Sequence, residues 1–260
     1  VNYGLYLSAS GLATNLYRQD VFANNLANVE TVAFKPDLPS VRYREPESIE
    51  DPAVRRAAHE LLDQLGGGVL PGPQTINFKA GGLEPTGNPL DAALSDEHQF
   101  FVVQSTDPNT GAVEAMLTRD GRFTVGPDGR LVTQAGHPVL SAGGSPIELP
   151  EGVPVRIDAQ GFVRRADDGT QVAALGIAEP GDRGGLVKHG QNLFRVARGG
   201  FEQAEAPAVQ PEHVEASGAN PIRTLMSLTA ASKTAMGNAN LIRYHDLLMD
   251  RAINTLGRVA

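Results

Sequence analysis

The sequence predicts an α+β protein: long N- and C-terminal helices forming a coiled-coil-like pair, with a central antiparallel, mostly-β domain between them. Three observations predict it. At one end Leu5, Ala9, Leu12, Leu16, Gln19, Ala23 and Leu26 step by four and three, a heptad seam with one polar break. At the other, Leu225, Leu228, Ser232, Ala235, Ala239, Ile242, Asp246, Met249, Ile253 and Leu256 repeat that spacing, apolar except for Ser232 and Asp246. Between them lie short β-rich runs divided by Asp-Gly, Pro-Gly and Gly-Gly pairs, without the alternating helices that mark a parallel sheet.

The first segment, residues 1–35, carries a helix over 3–29, roughly 40 Å long at 1.5 Å per residue. Its charges are only Arg18, Asp20, Glu30 and Lys35, and Pro36 stops regular structure. Asn24, Asn25 and Asn28 crowd its end, although the short Asn amide competes with helical hydrogen bonds. A helix that tolerates them is expected to be held from outside. Residues 36–75 read as an extended, mobile linker with a short helix: Asp51 is a suitable cap, Pro52 fits the first position, and Gly66 to Gly68 stop it.

Residues 76–200 form the expected β-domain, with strands QFFVV, RFTV, RLVT, VRI, FVRR and QVAALGI. Val125-Gly-Pro-Asp-Gly129 and Ile157-Asp-Ala-Gln-Gly161 echo one another as hairpins whose glycine supplies positive φ. Residues 201–221 read as a second linker. Asn220 and Pro221 then suit a cap and first helical residue, and residues 222–260 form the C-terminal helix, roughly 50 Å long. Gly237 weakens its middle. Each seam is rich in small residues and cannot bury itself alone; the pattern leaves open whether the helices pack on the β-domain or on other molecules.

Composition narrows the function classes. A net charge of −8 and no basic run longer than two residues argue against nucleic-acid binding. The absence of cysteine rules out disulfides, thiolate metal sites and a cysteine nucleophile. The N-terminus lacks the basic start, apolar run and small-residue site of a cleavable secretory signal, and no run reaches the roughly 20 apolar residues of a membrane helix.

Chemistry-bearing motifs are sparse. The six histidines are widely spaced, and there is no HExxH, Walker loop or nucleophile elbow. Asp91, Asp96, Glu97 and His98 could be proposed as the acid pair of a carboxylate-dependent peptidoglycan hydrolase, but turn chemistry explains them without a substrate. Asp107-Pro-Asn-Thr-Gly111 lacks the alternating ligands of a calcium loop and reads as a turn. No catalytic, cofactor-binding or metal site is expected.

Three blocks in order resemble a known family, the bacterial flagellar rod and hook axial proteins. The first is SASGL at Ser8–Leu12, NNLANV at Asn24–Val29 and Thr31-Val-Ala-Phe-Lys35, where Ala33 stands at a position usually held by glycine. The second runs from Gly87-Asn-Pro-Leu-Asp91 through Phe100-Phe101 and Thr118-Arg-Asp-Gly-Arg-Phe123 to Asp128-Gly-Arg-Leu-Val-Thr133. Ser95-Asp-Glu-His-Gln99 replaces the glycine turn usual before the double Phe. The third spans Asn220-Pro221 to Asp250-Arg-Ala-Ile-Asn-Thr-Leu-Gly-Arg258, whose ending is similar to the proximal-rod branch.

The resemblance implies a structural protein without enzymatic activity or cofactor. It implies a subunit of the basal-body rod that polymerises helically into the drive shaft carrying torque from motor to hook, with a distal-rod or hook position as the alternative. Its expected partners are itself, other rod proteins and the flagellar type III export apparatus, with no nucleic acid or small-molecule substrate. Its expected location is the periplasmic rod, reached without a cleaved signal. The expected assembly interface comprises Leu5, Leu12, Leu16, Asn24, Asn25, Leu26, Asn28, Leu228, Ile242, Met249 and Ile253, with the asparagines bonding neighbouring subunits or lining solvent.

Overall fold

The structure, a computed structural model, describes residues 3–45, 66–106 and 111–256; the short helix expected after Asp51 and most of the turn at 107–111 lie outside them. The chain divides into two compact units: Val1–Ala27, Asp37–Ile76 and Asn220–Ala260 in one, Asn28–Pro36 and Asn77–Ala219 in the other.

The first unit holds the helices. α1 spans Tyr3–Ala27 and α2 spans Pro221–Leu256, and they pack together. Asn220 caps α2 as expected: its Oδ1 accepts from the Arg223 N–H at 2.9 Å and its carbonyl from Thr224 N–H at 2.9 Å, with Pro221 first in the helix. The described parts of residues 36–75 are not free linker. β1 (Asp37–Leu38) pairs antiparallel with β4 (Thr75–Ile76), and β2 (Val41–Tyr43) with β3 (Val69–Pro71). The two halves of this stretch therefore run back along each other as an arm, a pairing that Pro and Gly content alone does not reveal.

The second unit is the β-domain. β7 (Phe100–Thr106) and β8 (Val113–Thr118) lie at the middle of a six-stranded sheet, flanked by β14 (Ile177–Pro180) and β17 (Phe201–Gln203) on one side and β16 (Leu193–Val196) and β15 (Leu186–Gly190) on the other. Successive residues of a strand face opposite sides, so the double Phe serves two clusters. Phe101 meets Phe123 edge-on at 5.1 Å within the main core, and Phe100 meets Phe78 and Phe194 at 5.8 and 5.9 Å.

The echoed hairpins close identically. Gly126 N–H donates to Arg130 O and Gly129 N–H to Gly126 O; likewise Asp158 N–H donates to Phe162 O and Gly161 N–H to Asp158 O. Gly129 and Gly161 sit at φ 72° and 78°, a region open to glycine at no steric cost.

Residues 201–221, expected as a linker, carry three strands. β17 extends the large sheet, β18 (Val209–Pro211) pairs with β6 (Ala92–Leu94), and β19 (His213–Glu215) pairs with β5 (Leu83–Pro85). The partners of β18 and β19 lie over a hundred residues away, and each of the three strands is only three residues long, too short for its alternation to announce a strand locally. Residues 28–36 also belong to this unit rather than to the helix they follow.

Candidate assembly interface on the terminal helices

α1 and α2 run antiparallel at close range. A Cβ at Gly4 would lie 2.7 Å from the His245 ring, and one at Gly11 would lie 2.9 Å from the Asn238 amide nitrogen. The contact file of α2 is Thr224, Leu228, Ala231, Ala235, Asn238, Ile242 and His245, all buried or half-buried. It shares Leu228, Ala235 and Ile242 with the expected seam, but the second file is rotated by one residue. The reason is steric: glycine and alanine let the backbones approach, and larger apolar side chains are turned out.

On α1 the buried residues are Ser8, Thr14, Asn15, Val21 and Asn25, mostly polar. Asn15 donates to Gly11 O at 2.7 Å, and its Oδ1 is buried without a partner among the described residues. The helix pair is thus joined by small and polar groups, a weak apolar contribution for its length.

Of the expected interface residues, Leu5, Leu12, Leu26, Asn28, Leu228 and Ile242 are half-buried, and Leu16, Asn24, Met249 and Ile253 are exposed. Asn25 is buried inside its own chain. Its Nδ2 donates to Asp37 O at 2.7 Å and its Oδ1 accepts from Asp37 N–H at 2.9 Å, so the amide clamps the start of the arm as a neighbouring strand would. Asn28 accepts at its carbonyl from the Ser217 hydroxyl at 2.9 Å, and its side-chain Oδ1 accepts from Thr31.

A second face of α1 was not anticipated. Ser10 Oγ donates to Val69 O and accepts from Val69 N–H, Thr14 Oγ1 donates to Val69 O, and Tyr17 donates to Gly72 O. Tyr3 donates to Gly66 O, and Arg44 bonds the Tyr6 hydroxyl. Hydroxyl side chains at helical spacing thus hold the arm through its backbone. That spacing is visible in the sequence, but it lies outside any apolar pattern.

α2 leaves a long apolar surface to solvent: Ile222, Met226, Met236, Tyr244, Leu248 and Ile253 are each between 61 and 71 % exposed. All of these but Ile253 fall within about 120° of the helix circumference, and apolar exposure clustered in this way marks an interaction surface. No helix among the described residues is long and apolar enough to cross a membrane.

The carboxylates proposed for catalysis sit in turns. Asp91 is buried and accepts from the Asn88 amide at 2.8 Å, Asp96 accepts from His98 N–H at 2.8 Å, and exposed Glu97 lies 3.6 Å from Arg183. Among the described residues no group of three or more metal-ligating side chains converges.

A helical pair with an exposed apolar face, attached in sequence to an antiparallel β-domain, is the architecture of a structural protein. Comparison with known proteins agrees. Residues 5–35 match the family described as flagella basal body rod protein, and residues 97–165 match the flagellar hook protein FlgE/F/G D1 domain. The chain is 30% identical over 262 residues to the flagellar basal-body rod protein FlgF of Caulobacter vibrioides, covering 98% of both chains. It is 29% identical to FlgF of Rhizobium meliloti, again over 98% of both, and 26% identical to the rod protein FlgG of Bacillus subtilis over 96% of this chain and 97% of that one. The chain belongs to the flagellar basal-body rod and hook protein family, and its likeness within that family is to the FlgF type. Its role is that of a structural rod subunit, in a family that is not catalytic.

Proposed function

We propose that this chain polymerises helically in the proximal rod, its terminal helices packing with those of neighbouring copies and related rod proteins. The resulting shaft carries torque from motor to hook, and the chain reaches the periplasmic rod unfolded, through the flagellar type III export apparatus and without a cleaved signal. The observation that carries this reading is the exposed apolar surface of α2 beside a seam of small and polar residues. Such a pair gains little by closing on itself and much by burial against further copies. Before assembly the helices are then expected to be largely unfolded, ordering only as they join their neighbours.

Leu12 and Ile242 belong to the expected interface, but both are already half-buried. The cleaner test uses exposed positions. Leu248→Asp and Ile253→Asp, expressed in a strain lacking its own copy, should leave the β-domain folded and the protein exported while abolishing incorporation into basal bodies and swimming. Normal incorporation of both variants would sink the proposal. Cross-linking from introduced cysteines to known rod neighbours distinguishes the proximal position from the distal rod or hook.

A further inference from the structure

The chain passes between its two units four times, at 27/28, 36/37, 76/77 and 219/220. Inside the β-domain, the residues flanking all four passages are bonded to one another. Ser217 Oγ donates to Asn28 O, Ala33 N–H to Glu215 O, Gly218 N–H to Phe34 O and Asn77 N–H to Pro36 O. At the centre lies a buried charge cluster. Glu215 Oε1 accepts from Lys35 Nζ at 2.5 Å and Gly81 N–H at 2.8 Å, and Oε2 accepts from Arg119 Nε at 2.8 Å.

The three charged residues are each 1 % exposed. Arg119 also donates to the carbonyls of Leu94, Asp96 and Gln99, and Lys35 to those of Phe78 and Lys79. Two cations and one anion are therefore enclosed, and among the described residues Glu215 is the only carboxylate bonded to both. Removing the Glu215 charge leaves two buried cations without their carboxylate, which costs far more than the intact group contributes.

We infer that Glu215 is a lock that fastens all four passages to the β-domain at one root, independently of the hydrophobic core. The core cluster runs from Ala92 to Val209 and includes no residue of 28–36 or 213–219; the root's own buried apolar residues, Ala33, Phe34, Val214 and Ala219, lie outside that cluster, around the charged group. With Glu215 in place, force on any one passage is shared by all of them. The lock follows from the geometry of the β-domain alone and holds whatever position the chain occupies in an assembly.

Hydrogen exchange of the full chain tests it. The Ala33 amide is bonded to the backbone oxygen of residue 215, which a side-chain substitution retains, so its exchange reports release of the whole segment. In Glu215→Gln, Ala33 and Gly218 should exchange at least 100-fold faster, while Val103 and Leu117 in the central strands change less than tenfold. In Lys35→Met, which leaves Arg119 paired, Ala33 should be released and residues 213–215 should stay protected. Unchanged exchange at Ala33 in both variants, or equal acceleration in the central strands, would overturn the lock. Should Glu215→Gln fail to fold, Lys35→Met decides alone.

Discussion

Gly11 and Asn238 meet so closely across the helix pair that a methyl group on Gly11 would lie 2.9 Å from the Asn238 amide nitrogen. Seven residues earlier, Gly4 holds the same relation to His245 at 2.7 Å. The seam is set by what is missing from two side chains rather than by what fills them. Gly11→Val should therefore destabilise the pair by about 1 kcal/mol, because the branched side chain must push the Asn238 amide out of its place in the seam. Because the helices order on assembly, thermal dissociation of isolated basal bodies checks it, and an unchanged midpoint would show that the seam tolerates the larger side chain.

Gly237 is one residue from Asn238 and has the opposite expectation. A Cβ there meets nothing within 4 Å, and the residue is exposed in mid-helix. Gly237→Ala should stabilise helical structure in the isolated chain by about 0.5–1 kcal/mol. If the variant is more helical yet fails to enter basal bodies, Gly237 is reserved for close approach by another copy.

The hydroxyls of Ser10 and Thr14 converge on Val69, which gives both its N–H and its carbonyl to them. Ser10→Ala with Thr14→Val should loosen the arm by about 0.5–1.5 kcal/mol per bond lost. In assembled basal bodies, where α1 is ordered, the Val69 amide loses its acceptor at Ser10, so its exchange should quicken while amides in the middle of α1 keep their rates. Equal exchange in variant and parent would contradict the anchoring.

Ala33 sits at φ 57°, the left-handed region, and is 1 % exposed. The conformation costs an alanine about 1–2 kcal/mol relative to its preferred regions. Part of that is offset by the greater freedom of glycine in the unfolded chain. Ala33→Gly should raise β-domain stability by about 0.5–1 kcal/mol, read as a higher urea midpoint with an unchanged slope. A lower midpoint would mean that the buried methyl outweighs the strain.

Acid should weaken the 157–171 region. Burial pushes the Asp158 carboxyl up, but Arg164 Nε at 2.6 Å and the N–H groups of Phe162 and Gln160 outweigh it and hold it below its usual range. The Arg165 side chain takes Asp167 down to about 2. Carboxyls with lowered folded-state values contribute stability that is complete above roughly pH 4 and lost as pH falls through those values, from about 4 towards 2. Asp158→Asn keeps the turn acceptor and removes the charge, so the acid limb should flatten by no more than about 1 kcal/mol for this solvent-screened pair. An identical pH profile would remove Asp158 from the account.

The features legible along the chain are local ones. Heptad spacing placed both helices to within two residues at the ends described, Asn220-Pro221 marked where α2 begins, and Gly129 and Gly161 marked two turns, because helix period, caps and positive φ depend on neighbouring residues. The family was legible for the same reason: its motifs are short and lie in order.

Folding itself selects which helix face turns inward, since that depends on how closely glycine and alanine let two backbones approach. It also decided that Asn25 clamps its own arm, that hydroxyls on α1 hold Val69, and that residues 201–215 become strands. Lys35 and Arg119 stand 180 and 96 residues from Glu215. No local pattern announces such a meeting, because buried charges declare their partners only when the chain has closed around them.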